Sequence, residues 1–262
     1  MRMCLLAFAY NHNADAPLIV ISNRDEFYRR ETLPMHWWQD DDVLAGRDQQ
    51  AGGTWLGLSK NGRFAAVTNF RDLHRNGAPS SKLRSRGDLV TAFLCTSKNV
   101  HAWTDSLGDS LLEYGAFNLV IYDGQDMIYL NNQGDARQIL TPGVYALSNH
   151  QLDSQWPKVD HAREQLHKAV TNQAIGEHSI PVLLTALSLQ KTYATELLPS
   201  TGIPADWEET LSSPFIVSDG YGTRAATAIV ISATGKISVA EQGYENGEKL
   251  AFNAFNYSSL GL

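Results

Sequence analysis

Met3-Cys4-Leu5-Leu6-Ala7-Phe8-Ala9-Tyr10 and then Leu18-Ile19-Val20-Ile21-Ser22-Asn23-Arg24-Asp25-Glu26-Phe27 carry the reading on which the fold turns. Each is a short apolar run, and the two flank a polar turn at Asn11-His12-Asn13, the pattern of buried strands in a hairpin. The first strand is therefore expected near the middle of a sheet. Asn23-Arg24-Asp25-Glu26 falls where the chain is expected to leave that sheet, which sets four hydrogen-bonding side chains at one sheet end. In a two-strand hairpin that end lies beside the start of the first strand, and so beside Cys4. A guanidinium from Arg24 near the thiol would favour thiolate, and Asp25 could orient an α-amine. As residue one, Cys4 would supply a nucleophilic thiol and, in its own α-amine of pKa roughly 7.7–8.0, the base. Arg2 is too bulky to permit trimming of Met1, so exposing Cys4 requires synthesis from Met3 or another cleavage. The blander counterpart is a reduced thiol buried in a strand.

Working outward, Gly53-Thr54-Trp55-Leu56-Gly57-Leu58-Ser59 and Arg63-Phe64-Ala65-Ala66-Val67-Thr68-Asn69 flank Lys60-Asn61-Gly62, whose Asn-Gly pair suits a tight hairpin turn. Residues 117–122 with 127–131, and 225–232 with 236–241, predict two more hairpins, the last turning at Ala233-Thr234-Gly235. Helical apolar spacing appears at 88–94 and 181–189, and a third helix is expected over 156–170 with Pro157 in its first turn. Strands at both ends with helices between them predict α+β layers rather than alternating βαβ units. No repeat and no Gly, Pro or Ser-rich linker interrupts the chain, so one domain is expected over 1–262.

Composition narrows the function classes. The chain has 262 residues, 43% of them hydrophobic and 19% charged, enough for one large core. A net charge of -7, with Asp40-Asp41-Asp42 as the only acidic run, leaves no basic stripe for nucleic acid. Cys4 and Cys95 form neither a disulfide framework nor a CxxC pair, which predicts a reducing compartment. The first apolar stretch is too short for a secretory segment and no window reaches a membrane span, so a cytoplasmic protein is expected. His12, His36, His74, His101, His150, His161, His167 and His178 lack paired metal spacing, and no metal ligand is named.

Two further clusters complete the candidate site. Leu147-Ser148-Asn149 ends an apolar run with an amide that could donate to an oxyanion, although asparagine at a strand end is usually turn chemistry. Tyr221-Gly222-Thr223-Arg224 precedes the 225–232 strand and places a guanidinium at its entrance, for a substrate or for a structural ion pair.

Taken together, Cys4, Ser22-Asn23-Arg24-Asp25-Glu26-Phe27, Gly52-Gly53-Thr54-Trp55-Leu56-Gly57, Ala66-Val67-Thr68-Asn69, Leu147-Ser148-Asn149 with Trp156-Pro157-Lys158, and Tyr221-Gly222-Thr223-Arg224 resemble the NRDE family, also called the Transport and Golgi organization protein 2 family. The likeness covers nearly the whole chain. It implies the N-terminal-nucleophile hydrolase fold, a four-layer αββα sandwich, and a distant likeness to choloylglycine hydrolases and penicillin V acylases. By that likeness Cys4 takes the nucleophile position, Arg24 and Asp25 the positions near it, Asn149 the oxyanion position and Arg224 the late arginine. The acylases space their Arg and Asp three apart, whereas here the two are adjacent.

The family is associated with intracellular haem trafficking and with handling of acyl-coenzyme A or lipid. The resemblance therefore implies a binding and transfer protein for an amphipathic, carboxylate-bearing ligand, with haem as cargo, a haem-receiving partner and no catalytic cofactor. Asn23, Arg24, Trp55, Asn69, Arg86 and Arg224 are the expected ligand-binding residues, with Arg47 and Arg71 also inside or beside family motifs. The alternative is an amidase or thioesterase with Cys4 as nucleophile, Asn149 at the oxyanion, and Arg24 with Asp25 setting protonation states. A third reading is an adaptor on which Trp37-Trp38 forms an exposed patch.

Overall fold

The two apolar runs at the amino end pair as an antiparallel hairpin. In a computed structural model that describes residues 3–39, 41–76, 83–134 and 137–260, β1 (Met3–Asn13) and β2 (Ala16–Phe27) set Cys4 opposite Arg24 and Met3 opposite Asp25. Met1, Arg2 and Asp40, which bear on terminal processing and on the acidic run, lie outside the described residues. The expected turn at 11–13 is absorbed into β1, and the reversal comes at 14–15, where Asn13 Oδ1 accepts the Asp15 N–H at 2.9 Å.

The chain continues through β3 (Thr32–Trp37), β4 (Val43–Asp48), β5 (Leu56–Ser59), β6 (Phe64–Asn69), α1 (Leu73–Asn76), α2 (Gly87–Cys95) and α3 (Val100–Asp105). Then follow β7 (Phe117–Tyr122), β8 (Met127–Asn131), β9 (Gln138–Ile139), β10 (Gly143–Leu147), α4 (Pro157–Val170), α5 (Ile180–Thr185) and α6 (Ala205–Thr210). The last strands are β11 (Val217–Ser218), β12 (Tyr221–Ile231), β13 (Lys236–Glu245) and β14 (Glu248–Ser258). One sheet runs β10-β1-β2-β12-β13-β14 with β11 beside β12; the other runs β3 to β9 in chain order. The fold is thus α+β and rich in sheet.

Side-chain alternation assigns the faces. Leu6, Phe8 and Tyr10 of β1, with Leu18 and Val20 of β2, join Leu58, Phe64 and Val120 of the second sheet in a shared core. The intervening Leu5, Ala7, Ala9, Ile19 and Ile21 pack instead on Val159, Leu166 and Leu183 of α4 and α5. On the far side, Ala65, Leu119 and Ile121 carry Val90, Phe93 and Trp103 of α2 and α3. Helix α5 ends at Thr185, short of the expected 189. The Leu187 carbonyl is taken by Asn23, and the Leu189 carbonyl by the Phe215 N–H.

One expectation is corrected here. Residues 23–26 do not leave the sheet; β2 lies between β1 and β12 and stays paired to Phe27, so Asn23, Arg24, Asp25 and Glu26 are all buried within a central strand. Likewise Tyr221 and Thr223 belong to β12 rather than to a preceding loop. Opposite β2 the register passes from Thr223↔Asp25 to Ala225↔Arg24, so Arg224 is the extra residue of a bulge, which re-aims its side chain. Among the described residues no helix is long and apolar enough to cross a membrane.

Candidate functional site

Where β1 begins and β2 carries its polar residues, a cavity of about 50 Å³ opens against the segment before β5 and the start of α2. Of the residues named from sequence, Cys4, Arg24, Asp25, Trp55, Asn69 and Arg86 line it, joined by Glu26, Asp48, Gly53, Thr54, Val67, Ser85 and Gly87. The Gly52-Gly53-Thr54-Trp55 stretch exists in this form because two backbones meet. A Cβ on Gly53 would lie 2.8 Å from the Gly87 carbonyl carbon, and one on Gly87 would lie 2.8 Å from the Thr54 oxygen.

Arg24 is 4% exposed. Its guanidinium carbon sits 4.3 Å from the centroid of the Trp55 ring, a cation–π contact, and Nη2 is 3.9 Å from Glu26 Oε2. Nη1 is buried with no hydrogen-bond partner among the described residues. Burial lowers the Arg24 pKa, opposed first by Glu26. Arg30 anchors the acids behind it, 2.7 Å from Asp48 and 3.7 Å from Glu26.

Cys4 is half-buried, and desolvation, then the charge of Asp25, pushes its thiol up to about 12. Arg24 and a hydrogen bond from the Asp25 backbone N–H pull the other way without overcoming burial. At neutral pH the group is a thiol, not a thiolate.

Asp25 accepts from Thr223 Oγ1 at 2.7 Å through Oδ1, while Oδ2 is buried without a hydrogen-bond partner among the described residues. Burial raises its pKa and the nearby Lys158 ammonium is the largest opposing influence. Lys158, 2% exposed, donates to the Leu211 carbonyl at 2.7 Å; burial lowers its pKa and Asp25 lifts it. No role was expected for Lys158. A readable signal was its place in the first turn of α4, where the helix dipole disfavours a cation and a lysine calls for a carboxylate.

Three expected site residues fall outside the cavity. Asn23 points to the opposite face of β2 from Arg24, and its Nδ2 donates to the Leu187 and Pro214 carbonyls at 3.0 and 2.8 Å. Arg224, re-aimed by the bulge, donates through Nη1 to the carbonyls of Phe27, Tyr28 and Arg30 and so braces the exit of β2. Asn149 is fully buried: Nδ2 donates to the Asn69 carbonyl at 2.9 Å, and Oδ1 accepts from Ser148 Oγ, which also donates to the Cys4 carbonyl. It ties the ends of β1, β6 and β10 together behind the cavity wall. Among the other arginines, Arg47 stacks on Trp38 and Arg71 pairs with Glu208 at 2.8 Å. The expected Trp37-Trp38 patch is absent, because Trp38 is buried and Trp37 packs edge-on against Tyr257.

Asn23→Ala removes one donor group and leaves two buried carbonyls without it. We expect a loss of about 2–4 kcal/mol in urea unfolding, and a loss below about 1 kcal/mol would show that water replaces the amide.

Similarity to known proteins agrees with the motif order. Residues 3–246 match the family described as Transport and Golgi organisation 2. The Transport and Golgi organization protein 2 homolog of Homo sapiens is 30% identical and that of Bos taurus 29%, each alignment covering 92% of both chains. Among solved structures, a variant conjugated bile acid hydrolase from Clostridium perfringens aligns with a TM-score of 0.45 at 12% identity, covering 98% of this chain and 92% of that one. With the family match spanning the hairpin, the cavity and all but the last strand, the chain belongs to the Transport and Golgi organisation 2 family.

Proposed function

We propose that this protein binds an amphipathic ligand with a negatively charged head and hands it on in the cytoplasm, the cargo being haem, an acyl-coenzyme A or a lipid, with a haem-receiving protein among its partners. The observation that carries this reading is Arg24, a buried guanidinium stacked on Trp55 whose Nη1 has no hydrogen-bond partner among the described residues at a cavity wall. An unmade charged hydrogen bond in a buried place is costly, and an oxygen from a ligand removes that cost. Val67 and the Trp55 ring supply apolar surface next to it. At roughly 10–15 Å³ per water, the cavity holds a few waters at most, so a head group enters and the body of the ligand lies outside. A propionate arm fits where a porphyrin ring does not. Among the described residues no group of three or more His, Cys, Asp or Glu is placed to hold a metal, and the iron of haem is assigned no ligand. The packing of helices on the outer face of each sheet supports a four-layer αββα sandwich of the N-terminal-nucleophile hydrolase kind.

Titration of the full chain with haem and with palmitoyl-coenzyme A tests this. Saturable binding of one of them is expected, weakened at least tenfold by Arg24→Met and changed less than about threefold by Cys4→Ala. Binding that ignores Arg24→Met would overturn it.

A second reading, a cysteine-dependent amidase or thioesterase, is favoured by one feature: the Cys4 thiol lies in the same cavity, hydrogen-bonded by the Asp25 N–H and close to Arg24. Its sulfur would attack the acyl carbon and release an amine or thiol, and water would then release the acid. Hydrolysis of an acyl amide or thioester that vanishes in Cys4→Ala would establish it.

A further inference from the structure

We infer that β14 is the contact surface of a homodimer, in which the free edges of two copies of this strand pair antiparallel about Phe255 and join two sheets into one. No residue of β14 lines the cavity at Cys4 and Arg24, so this surface stands apart from the ligand-binding reading above.

β14 ends its sheet: β13 pairs along one side and, among the described residues, no strand pairs along the other. A row of unmet N–H and C=O groups is a template for another strand, and proteins blunt it with charge, proline, irregularity or shortness. The other strands that end a sheet here are blunted in those ways or covered. β9 and β11 have two residues each, β3 carries Pro34 and an irregular register between Leu33 and His36, and the N–H and C=O of Ala146 in β10 are taken by Asp153. β14 is irregular only near its start, where Leu250 and Ala251 bulge opposite Gly243. Beyond the bulge Phe252-Asn253-Ala254-Phe255-Asn256-Tyr257-Ser258 runs in regular register with no charge, proline or glycine, the composition of a segment that pairs with its own kind. The run is also held in place, since Tyr257 donates to the Ser59 carbonyl at 3.1 Å and packs edge-on against Trp37. On the outer face the helix layer stops short. The core under α4 and α5 takes Ala240 of β13 but no residue of β14, and Phe252 stays 56% exposed.

A second copy fits this edge. A twofold axis at Phe255 overlaps the regular run over its whole length and sets Phe252 opposite Ser258, Asn253 opposite Tyr257 and Ala254 opposite Asn256 of the other copy. Each bulky side chain off the axis thus meets a smaller or polar one, and the two Phe255 rings pair across the axis. Antiparallel pairing also sends Glu248 and Lys249, the charged residues of β14, to opposite ends of the joined strands, whereas parallel pairing in register would set like against like. A run of this length makes about seven backbone hydrogen bonds, within the roughly 5–15 that a stable interface carries.

Sedimentation velocity of the full chain tests the dimer, and disulfide formation tests its register. A dimer that dissociates on dilution is expected at about 100 µM. Ala254→Lys, at an exposed position beside the axis, should raise its dissociation constant at least tenfold and leave the melting temperature of the monomer unchanged. For the register, Phe252→Cys and Ser258→Cys are each made in a chain carrying Cys4→Ser and Cys95→Ser. Mild oxidation of an equal mixture of the two should yield a covalent dimer, whereas either variant alone should not, because like positions lie far apart along antiparallel strands. Both replaced side chains are exposed, so folding is not at stake. A chain that stays monomeric at about 100 µM would overturn the homodimer and leave the edge to a strand of another protein. A dimer that ignores Ala254→Lys, or either cysteine variant cross-linking alone as readily as the mixture, would equally overturn it.

Discussion

Lys158→Met should destabilise the protein by about 3–5 kcal/mol at pH 8, because it leaves a buried carboxylate without its cation. Both groups are almost wholly enclosed, Asp25 at 1% and Lys158 at 2% exposure, and each is the largest influence opposing the desolvation of the other. The pH dependence has a definite sign. Asp25 has a folded pKa above its unfolded value near ~3.9, so above that pH the native state holds more protons and stability falls as pH rises. Lys158 has a folded pKa below its unfolded value near ~10.4, so the unfolded state holds more protons and stability recovers as pH rises toward that value. Removing Lys158 pushes Asp25 higher still and deletes the recovery. The deficit of the variant should therefore stay small and level up to about pH 7, where Asp25 is protonated in both native states, and grow from there to pH 9 in urea unfolding. Adding Asp25→Asn to Lys158→Met should restore most of the loss, since a neutral pair has no orphaned charge. A deficit that is flat with pH would mean that Lys158 matters only for its bond to the Leu211 carbonyl.

The hairpin at the heart of this pair was legible because two short apolar runs flank a polar turn, and the register that places Cys4 beside Arg24 followed from it. The same pattern misled at residues 23–26. Consecutive polar side chains normally mark a strand end, and here they are buried because β12 covers the far edge of β2 and distant groups satisfy them. The partners of Asn23, the carbonyls of Leu187 and Pro214, lie 164 and 191 positions further along the chain, a separation that no local periodicity encodes. Arginines posed the same difficulty. Five stood in or beside family motifs, but only the bulge at Arg224, the stacking of Arg47 on Trp38 and the pairing of Arg71 with Glu208 separate those that brace the fold from Arg24 and Arg86, which face the cavity. The contact between Gly53 and Gly87 was invisible for a related reason: each glycine reads as a turn residue until the two backbones are seen to touch.

Cys4 should be among the least reactive thiols in the protein's pH range, and this bears on both functional readings. With its pKa pushed up to about 12 by burial and by Asp25, its thiolate population near pH 7.5 is about three orders of magnitude below that of an ordinary cysteine. A Cys95→Ser chain isolates it, and alkylation by iodoacetamide followed by intact mass reads its rate. The rate should rise about tenfold per pH unit without a plateau up to pH 10. Asp25→Asn removes the second largest influence raising the pKa and should speed alkylation at pH 7.5, whereas Arg24→Met removes the largest charge lowering it and should slow it. Opposite responses to two neighbouring substitutions separate electrostatic control from a change in access, which would move both rates the same way. A plateau below pH 8 in the unmodified site would mean that the thiolate already exists, and the nucleophile reading would then gain the activated sulfur that the packing around Cys4 denies it.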